Sequence, residues 1–105
     1  MYQIVFARAI TEHLQWIDKK HHAAIRDAIF ENLEFEPLLE TRNRKQLDPA
    51  ILYANWELWC GANNRFRVLY DVILSDEEEP AEVHILGIGE KVGERLLIMG
   101  TEMNE

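Results

Sequence analysis

The chain has 105 residues, of which 48% are hydrophobic, a single cysteine and a formal net charge of −8. That length suits one domain able to bury a core, and the composition excludes a disordered segment. One cysteine excludes an internal disulfide and a cysteine-based metal site. No apolar run approaches the roughly 18–20 residues of a membrane span, and no basic-then-apolar leader is present, so a reducing, cytoplasmic setting is expected.

Tyr2, Ile4 and Phe6 alternate with Gln3, Val5 and Ala7, which predicts a first strand. From about Ala9 the period changes. Ile10, Leu14 and Ile17 mark one helical face, and Ile25, Ala28, Ile29 and Leu33 repeat it from about His22 to Glu36. The polar run from Asp18 to His22 separates them, predicting a helical hairpin, and Pro37 stops the second helix.

After Pro37 the pattern is that of strands. Arg42 to Leu47 is a short charged strand, and Asp48-Pro49 begins a loop. Trp56, Leu58 and Cys60 face one way in the next strand, with Glu57 and Trp59 on the other side. Gly61 to Asn64 is turn material. Phe66, Val68, Tyr70, Val72 and Leu74 then form a long apolar face, opposite Arg65, Arg67, Leu69, Asp71 and Ile73. The acidic run from Asp76 to Glu79, closed by Pro80, turns the chain, and Glu82 to Ile88 is a final strand. Glu90 to Met99 fits either a short helix or an extended tail.

The predicted order is strand, two helices, then four strands. This is an α+β, two-layer fold: the helical hairpin covers one face of a mainly antiparallel sheet. Period-2 alternation then puts Phe66, Val68 and Tyr70 under the helices, and Arg65 and Arg67 on the uncovered face.

Charge is segregated along the chain. Residues 1–40 carry −3 and residues 71–105 carry −8, whereas residues 41–70 carry +3 through Arg42, Arg44, Lys45, Arg65 and Arg67 against Asp48 and Glu57. A basic island in an acidic protein points to a site for an anion, and a phosphodiester backbone is the natural candidate.

The motifs E-T-R-N-R-K-Q-L at 40–47, W-E-L at 56–58 with Gly61, R-F-R-V-L-Y-D-V at 65–72, I-L-G-I-G-E-K at 85–91 and G-E-R-L-L-I at 93–98 occur in one order over nearly the whole chain. In that order and spacing the chain resembles the RelE/ParE superfamily of type II toxin–antitoxin toxins. The resemblance implies a single toxin domain, neutralised by a cognate antitoxin that wraps around it and through which it oligomerises, with plasmid stabilisation as a biological setting. RelE-like members cut mRNA on the ribosome without a metal or other cofactor: the ribose 2′-OH attacks the adjacent phosphate while basic side chains stabilise the developing charge. ParE-like members poison DNA gyrase instead.

Carried over by position, the resemblance makes Arg67 the contact to the scissile phosphate. Arg65 lies beside it on the same face, Arg44 and Lys45 grip the backbone, and Lys91 and Arg95 supply further charge. Read from the residues themselves, Arg42 and Trp59 are further candidate RNA contacts; on the open face Trp59 could stack on a base or on an antitoxin side chain, or pack at the edge against a neighbouring loop. His84 lies in the last strand, where it could share the face of Arg67 as an acid or base. Two positions depart from the family pattern. Trp59 stands where many relatives have arginine, and Leu97 where many have an aromatic residue. Both favour the alternative of a binding protein acting on gyrase or only on its antitoxin.

The remaining motifs read as structural. His13, His21 and His22 beside Asp18 fit a solvated polar turn better than metal ligands. Gly87, Gly89 and Gly93 break the spacing of a dinucleotide loop. Cys60 fits a small apolar residue, and Glu57 a partner for an arginine.

Overall fold

The computed structural model describes residues 1–76 and 81–103; Glu77, Glu78, Glu79 and Pro80 of the acidic run, and the last two residues, lie outside them. In chain order the elements are β1 (Gln3–Phe6), α1 (Ile10–Gln15), α2 (His22–Leu33), β2 (Arg44–Ile51), β3 (Ala54–Cys60), β4 (Phe66–Ile73), β5 (Glu82–Val92), β6 (Arg95–Ile98) and β7 (Thr101–Met103). A 3₁₀ turn at Lys19–His21 joins the helices, and another at Ala62–Asn64 joins β3 to β4. The architecture is α+β. The strands run β2-β3-β4-β5-β6-β7 as an antiparallel sheet, with β1 added parallel to β5.

The helical repeat places Ile25, Ile29 and Leu33 of α2 on one stripe, and all three are buried. With Ile10 and Ile17 they pack on Trp56, Leu58 and Cys60 of β3, Phe66, Val68 and Tyr70 of β4, and Val83, Ile85 and Ile88 of β5. This is the expected core. Trp56 and Tyr70 stack across β3 and β4 with centroids 6.1 Å apart. The Tyr70 hydroxyl donates to the Pro37 carbonyl at 2.7 Å, tying the segment after α2 to the sheet.

The second helix ends at Leu33, three residues before the predicted Glu36. Its last carbonyls have tertiary partners. Arg44 donates to Asn32 O, and the Tyr2 N–H to Glu34 O at 2.7 Å. A helix end satisfied in this way has no need of another turn. The histidines at the helical junction are held as well. His22 Nε2 lies 2.9 Å from Leu14 O and 2.8 Å from Ile17 O, and the His21 ring packs on Phe66, so neither is simply solvated.

The strand content exceeds expectation: among the described residues six strands follow the helices. The second strand starts at Arg44 and does not stop at Asp48-Pro49. It is an edge strand whose pairing lapses between Gln46 and Ile51, so a proline with no N–H is tolerated there. The last predicted strand continues through Ile88 to Val92, and the tail from Glu90 to Met99 is extended, completing β5 and forming β6.

The second face of the sheet is covered too, which corrects the expectation of an open one. Ile51, Ala54, Leu69, Leu96 and Ile98 form a second buried cluster there, with Leu47, Leu86, Met99 and Met103 packed around it. Gly87 and Gly89 make this possible. A Cβ at Gly89 would sit 2.5 Å from Leu97 O and 2.7 Å from Ile98 Cγ1, so only glycine lets β6 fold across β5 at that point.

β5 divides one edge between two partners. Glu82 to Ile85 pair with β1, and Glu90 to Val92 pair with β6. In the gap the Ile88 N–H donates to Nδ1 of the buried His13 at 3.2 Å. His13 is therefore a core residue that caps an interrupted ladder, not a member of a polar turn. Burial lowers its pKa, with Glu12 acting weakly the other way.

Two predictions follow from this frame. A lowered folded-state pKa means that the unfolded chain takes up the proton first, so His13 stabilises the fold fully above about pH 6.5 and less as pH falls below it. Thermal unfolding of the wild type should lose stability between pH 7 and 5. His13→Asn, whose Oδ1 can stand in for Nδ1, should flatten that slope; an unchanged slope would contradict the assignment. The β2–β3 turn also carries strain. Leu52 and Tyr53 form a two-residue loop with φ of 51° and 65°, and Tyr53 is 91% exposed. Asn and Gly suit such a turn far better. Tyr53→Gly should stabilise the protein by about 0.5–1 kcal/mol, net of glycine's greater unfolded-state entropy, as read from denaturant midpoints.

Candidate nucleic-acid interface

Strand register decides which basic residues meet. Trp59 of β3 lies opposite Arg67 of β4, and Arg67 opposite Gly89 of β5. Beyond this rung the Trp59 N–H donates to Asn43 O at 2.7 Å, which brings Arg42 alongside. At the same end of the strands the Lys91 N–H donates to Arg65 O at 2.8 Å, and Arg95 pairs with Val92. The topology thus gathers Arg42, Arg65, Arg67, Lys91 and Arg95 at one end of the sheet. Lys45 stands two rungs away, opposite Glu57. The other end is acidic, with Asp71, Glu82 and the exposed Asp76.

Arg67 is at the centre of this end and is buried, with 7% of its surface exposed. Its guanidinium lies over the Trp59 ring, 4.4 Å from the centroid. Nη1 donates to Asn64 O and, at 3.3 Å, to Phe66 O. The Trp59 indole N–H donates in turn to Glu57 Oε1 at 2.7 Å. A chain of contacts therefore runs Glu57, Trp59, Arg67, Asn64. The stack is worth about 0.5–2 kcal/mol, and it fixes the plane of the guanidinium. Glu57 is itself buried at 7% exposure, and its Oε2 has no hydrogen-bond partner.

The other expected residues are placed differently. Arg65 does not share the face of Arg67. It ends the 3₁₀ turn before β4 begins, so strand alternation does not govern it. Its Nε pairs with Glu90, its Nη1 lies 3.4 Å from His21 Nε2, and its guanidinium covers Phe66 at 5.3 Å, all on the helix side. Arg44 and Lys45 separate by alternation. Lys45 shares the face of Glu57, whereas Arg44 turns under α2 and is only 8% exposed, which makes it a helix cap and not a backbone grip. Its contact to Glu36 is 4.0 Å. Arg42 and Arg95 are exposed, and Lys91 is half-buried.

His84 lies far from this centre. It stands opposite Asp71 and 2.9 Å from Glu82 Oε1. Asp71 is four residues along β4 from Arg67, roughly 13 Å at about 3.3 Å per residue. His84 therefore belongs to the acidic end and is in no position to exchange a proton at Arg67. The Cys60 thiol is pushed up to about 11 by burial, against a weaker opposite pull from Arg67, which leaves it an inert core residue. Among the described residues no group of three His, Cys, Asp or Glu is placed to hold a metal ion, and no helix is long and apolar enough to cross a membrane.

Sequence reasoning missed two features here. One is the Asn64 carbonyl that anchors Arg67; the N-N pair after Gly61 was its signal. Asn63 and Asn64 both adopt left-handed backbone, with φ of 57° and 53°. The other is a polar cleft of about 330 Å³ between Arg42, Asn43 and Asn64, beside the stack. A larger apolar groove of about 700 Å³ lies between α1 and α2, lined by Phe6, Ile10, Leu14, Ile25 and Ile29, with Arg8, Lys19 and Arg26 on its walls.

Comparison of the chain with protein-family models, with characterised proteins and with solved structures finds no match. The functional reading therefore stands on residues and geometry.

The indole–carboxylate bond is directly testable. Trp59→Phe keeps a ring under Arg67 but leaves both Glu57 oxygens buried without a donor. It should cost about 1–3 kcal/mol in chemical denaturation, and Glu57→Leu in that background should recover part of the loss. A Trp59→Phe protein as stable as wild type would remove Glu57 from the chain of contacts.

Proposed function

We propose that the protein is a RelE/ParE-like toxin of a type II toxin–antitoxin pair, and that it inhibits translation by metal-independent cleavage of mRNA at the ribosome. The observation that carries this reading is the gathering of Arg42, Arg67, Lys91 and Arg95 at one end of the sheet, around an arginine stacked on tryptophan. An extended polyanion crossing that end would meet several positive charges in succession. The order of elements, with two helices on one face of a mainly antiparallel sheet, is compatible with the two-layer α+β fold that this reading needs.

In this reading Arg67 is the principal phosphate contact. Its plane is set by Trp59 and its position by Asn64 O, so it is held in one orientation before substrate arrives. The 2′-hydroxyl of the ribose loses its proton to water as its oxygen attacks the adjacent phosphorus, the bond to the 5′-oxygen breaks and that oxygen takes up a proton from water, and a 2′,3′-cyclic phosphate and a 5′-hydroxyl result. Arg67 and the exposed cations lower the cost of charge on the phosphoryl oxygens. His84, at the acidic end, takes no part in the proton transfers. The apolar groove with basic walls offers a place for the antitoxin, whose neutralising segment would need apolar anchors flanked by acids.

One observation favours a second reading. Arg67 is buried and already bonded to two backbone carbonyls, as a structural arginine would be. A binding protein acting on DNA gyrase, or only on its antitoxin, needs no more than that.

The test is induced expression in a bacterial host, with growth, protein synthesis and DNA synthesis followed together. Early loss of protein synthesis is expected, with cleaved mRNA carrying the cyclic end. Arg67→Lys keeps the charge but neither the planar stack nor the fork, and should reduce cleavage at least tenfold while unfolding at a similar temperature. Early loss of DNA synthesis, or a folded Arg67→Lys protein of full potency, would overturn the ribonuclease reading.

A further inference from the structure

The cleft beside the Trp59–Arg67 stack has features that phosphate binding does not explain. Its walls come from two separate segments, Arg42 and Asn43 before β2 and Asn64 in the β3–β4 turn. At about 330 Å³ it lies at the small end of the range for ligand pockets, which is room for one planar ring system and not for a chain. Its polar groups are of two kinds. Arg42 is an exposed cation, whereas Asn64 presents a solvent-facing amide, a paired donor and acceptor.

The cleft is also built. Asn43 is held from three sides: its Oδ1 accepts from Thr41 Oγ1 at 2.9 Å, its Nδ2 donates to Asn32 Oδ1 at 3.3 Å, and its carbonyl accepts from Trp59. Asn64 is fixed by its backbone. Its N–H donates to Gly61 O at 3.0 Å and its carbonyl accepts from Arg67. Two successive non-glycine residues in left-handed conformation cost stability, and that strain sits at the cleft's wall. The outcome is a backbone held at a set position next to the guanidinium that the proposed function assigns to the phosphate, carrying an exposed side chain with an amide.

We propose that this cleft takes one nucleobase of a single-stranded RNA, with the Asn64 amide reading the base's hydrogen-bonding edge and Arg42 supporting the same nucleotide. The proposal rests on the RNA-cleaving reading for the phosphate at Arg67. Base edges differ in their order of donors and acceptors, and an amide pairs with one order better than another. Phosphate contacts carry no such information. Asn64 thus sets base preference at the site, while Arg67 sets affinity for any sequence.

The test separates these roles. Binding of the full chain to short single-stranded oligoribonucleotides of A, C, G or U, and to an abasic oligomer of equal length, is measured by fluorescence anisotropy. Asn64→Gly is the informative variant, because glycine keeps the left-handed backbone and the carbonyl that holds Arg67 while removing the amide. The wild type should prefer one base, and Asn64→Gly should lose roughly tenfold on that oligomer and little on the abasic one. Arg67→Lys should weaken all five together. An Asn64→Gly protein with unchanged preference, or with an equal loss on the abasic oligomer, would overturn the proposal.

Nucleoside monophosphates followed by NMR at the Asn64 side-chain amide distinguish this from failure of the toxin reading. Shifts that differ between bases, in a protein that neither cleaves RNA nor arrests growth, would support the base subsite and retire the toxin. Shifts with none of the four, together with no oligomer binding, would overturn the subsite.

Discussion

The structure depends on the division of one edge of β5 between two partners. β1 occupies its first half and β6 its second, and a strand cannot change partners without leaving backbone groups over. His13 accepts from the Ile88 N–H that neither strand pairs, which ties α1 to the sheet at the point of change. Gly87 and Gly89 remove the side chains that would keep β6 away. From this junction come both the covered helix face and the covered second face.

The burial of Arg67 sets the character of the candidate site. A fully exposed arginine samples many rotamers and loses their entropy on binding. Arg67 has given up that freedom in folding, held between the Trp59 ring, two carbonyls and the glycine side of β5. The tryptophan at position 59 therefore has a physical role here. It presents a surface that orients the guanidinium of Arg67. Like charges on neighbouring strands would repel each other, whereas indole and guanidinium attract.

The helical face and the strand faces of Trp56–Cys60 and Phe66–Tyr70 were legible because each follows a local period of 3.6 or 2. What was not legible arises from pairings distant in sequence. Nothing in R-L-L-I announces that Leu96 and Ile98 cover Leu69, so the second face read as open and Arg67 as exposed. Arg44 and Lys45 looked alike in a basic run, but alternation sends one to cap a helix and leaves the other on the sheet. Arg65 failed for another reason: the 3₁₀ turn at Ala62–Asn64 ends at that residue, so the period-2 rule was applied one residue too early. His84 was correctly placed on the second face, yet face alone does not give distance along the strand.

Charge segregation is where sequence and fold agree most usefully. The linear island of residues 41–70 becomes, through register, one end of the sheet, with Lys91 and Arg95 added from a stretch whose overall charge is strongly negative. Antiparallel pairing explains why. The end of β3, the start of β4 and the end of β5 are neighbours, so bases near those three points converge, while Asp71 and Glu82 converge at the other end. A net charge of −8 therefore does not oppose binding of an anion at the basic end. At physiological ionic strength screening acts over about 8 Å, and the acidic end lies beyond that distance from Arg67. The acids instead constrain orientation, since a polyanion approaching along the strands is attracted at one end and repelled at the other.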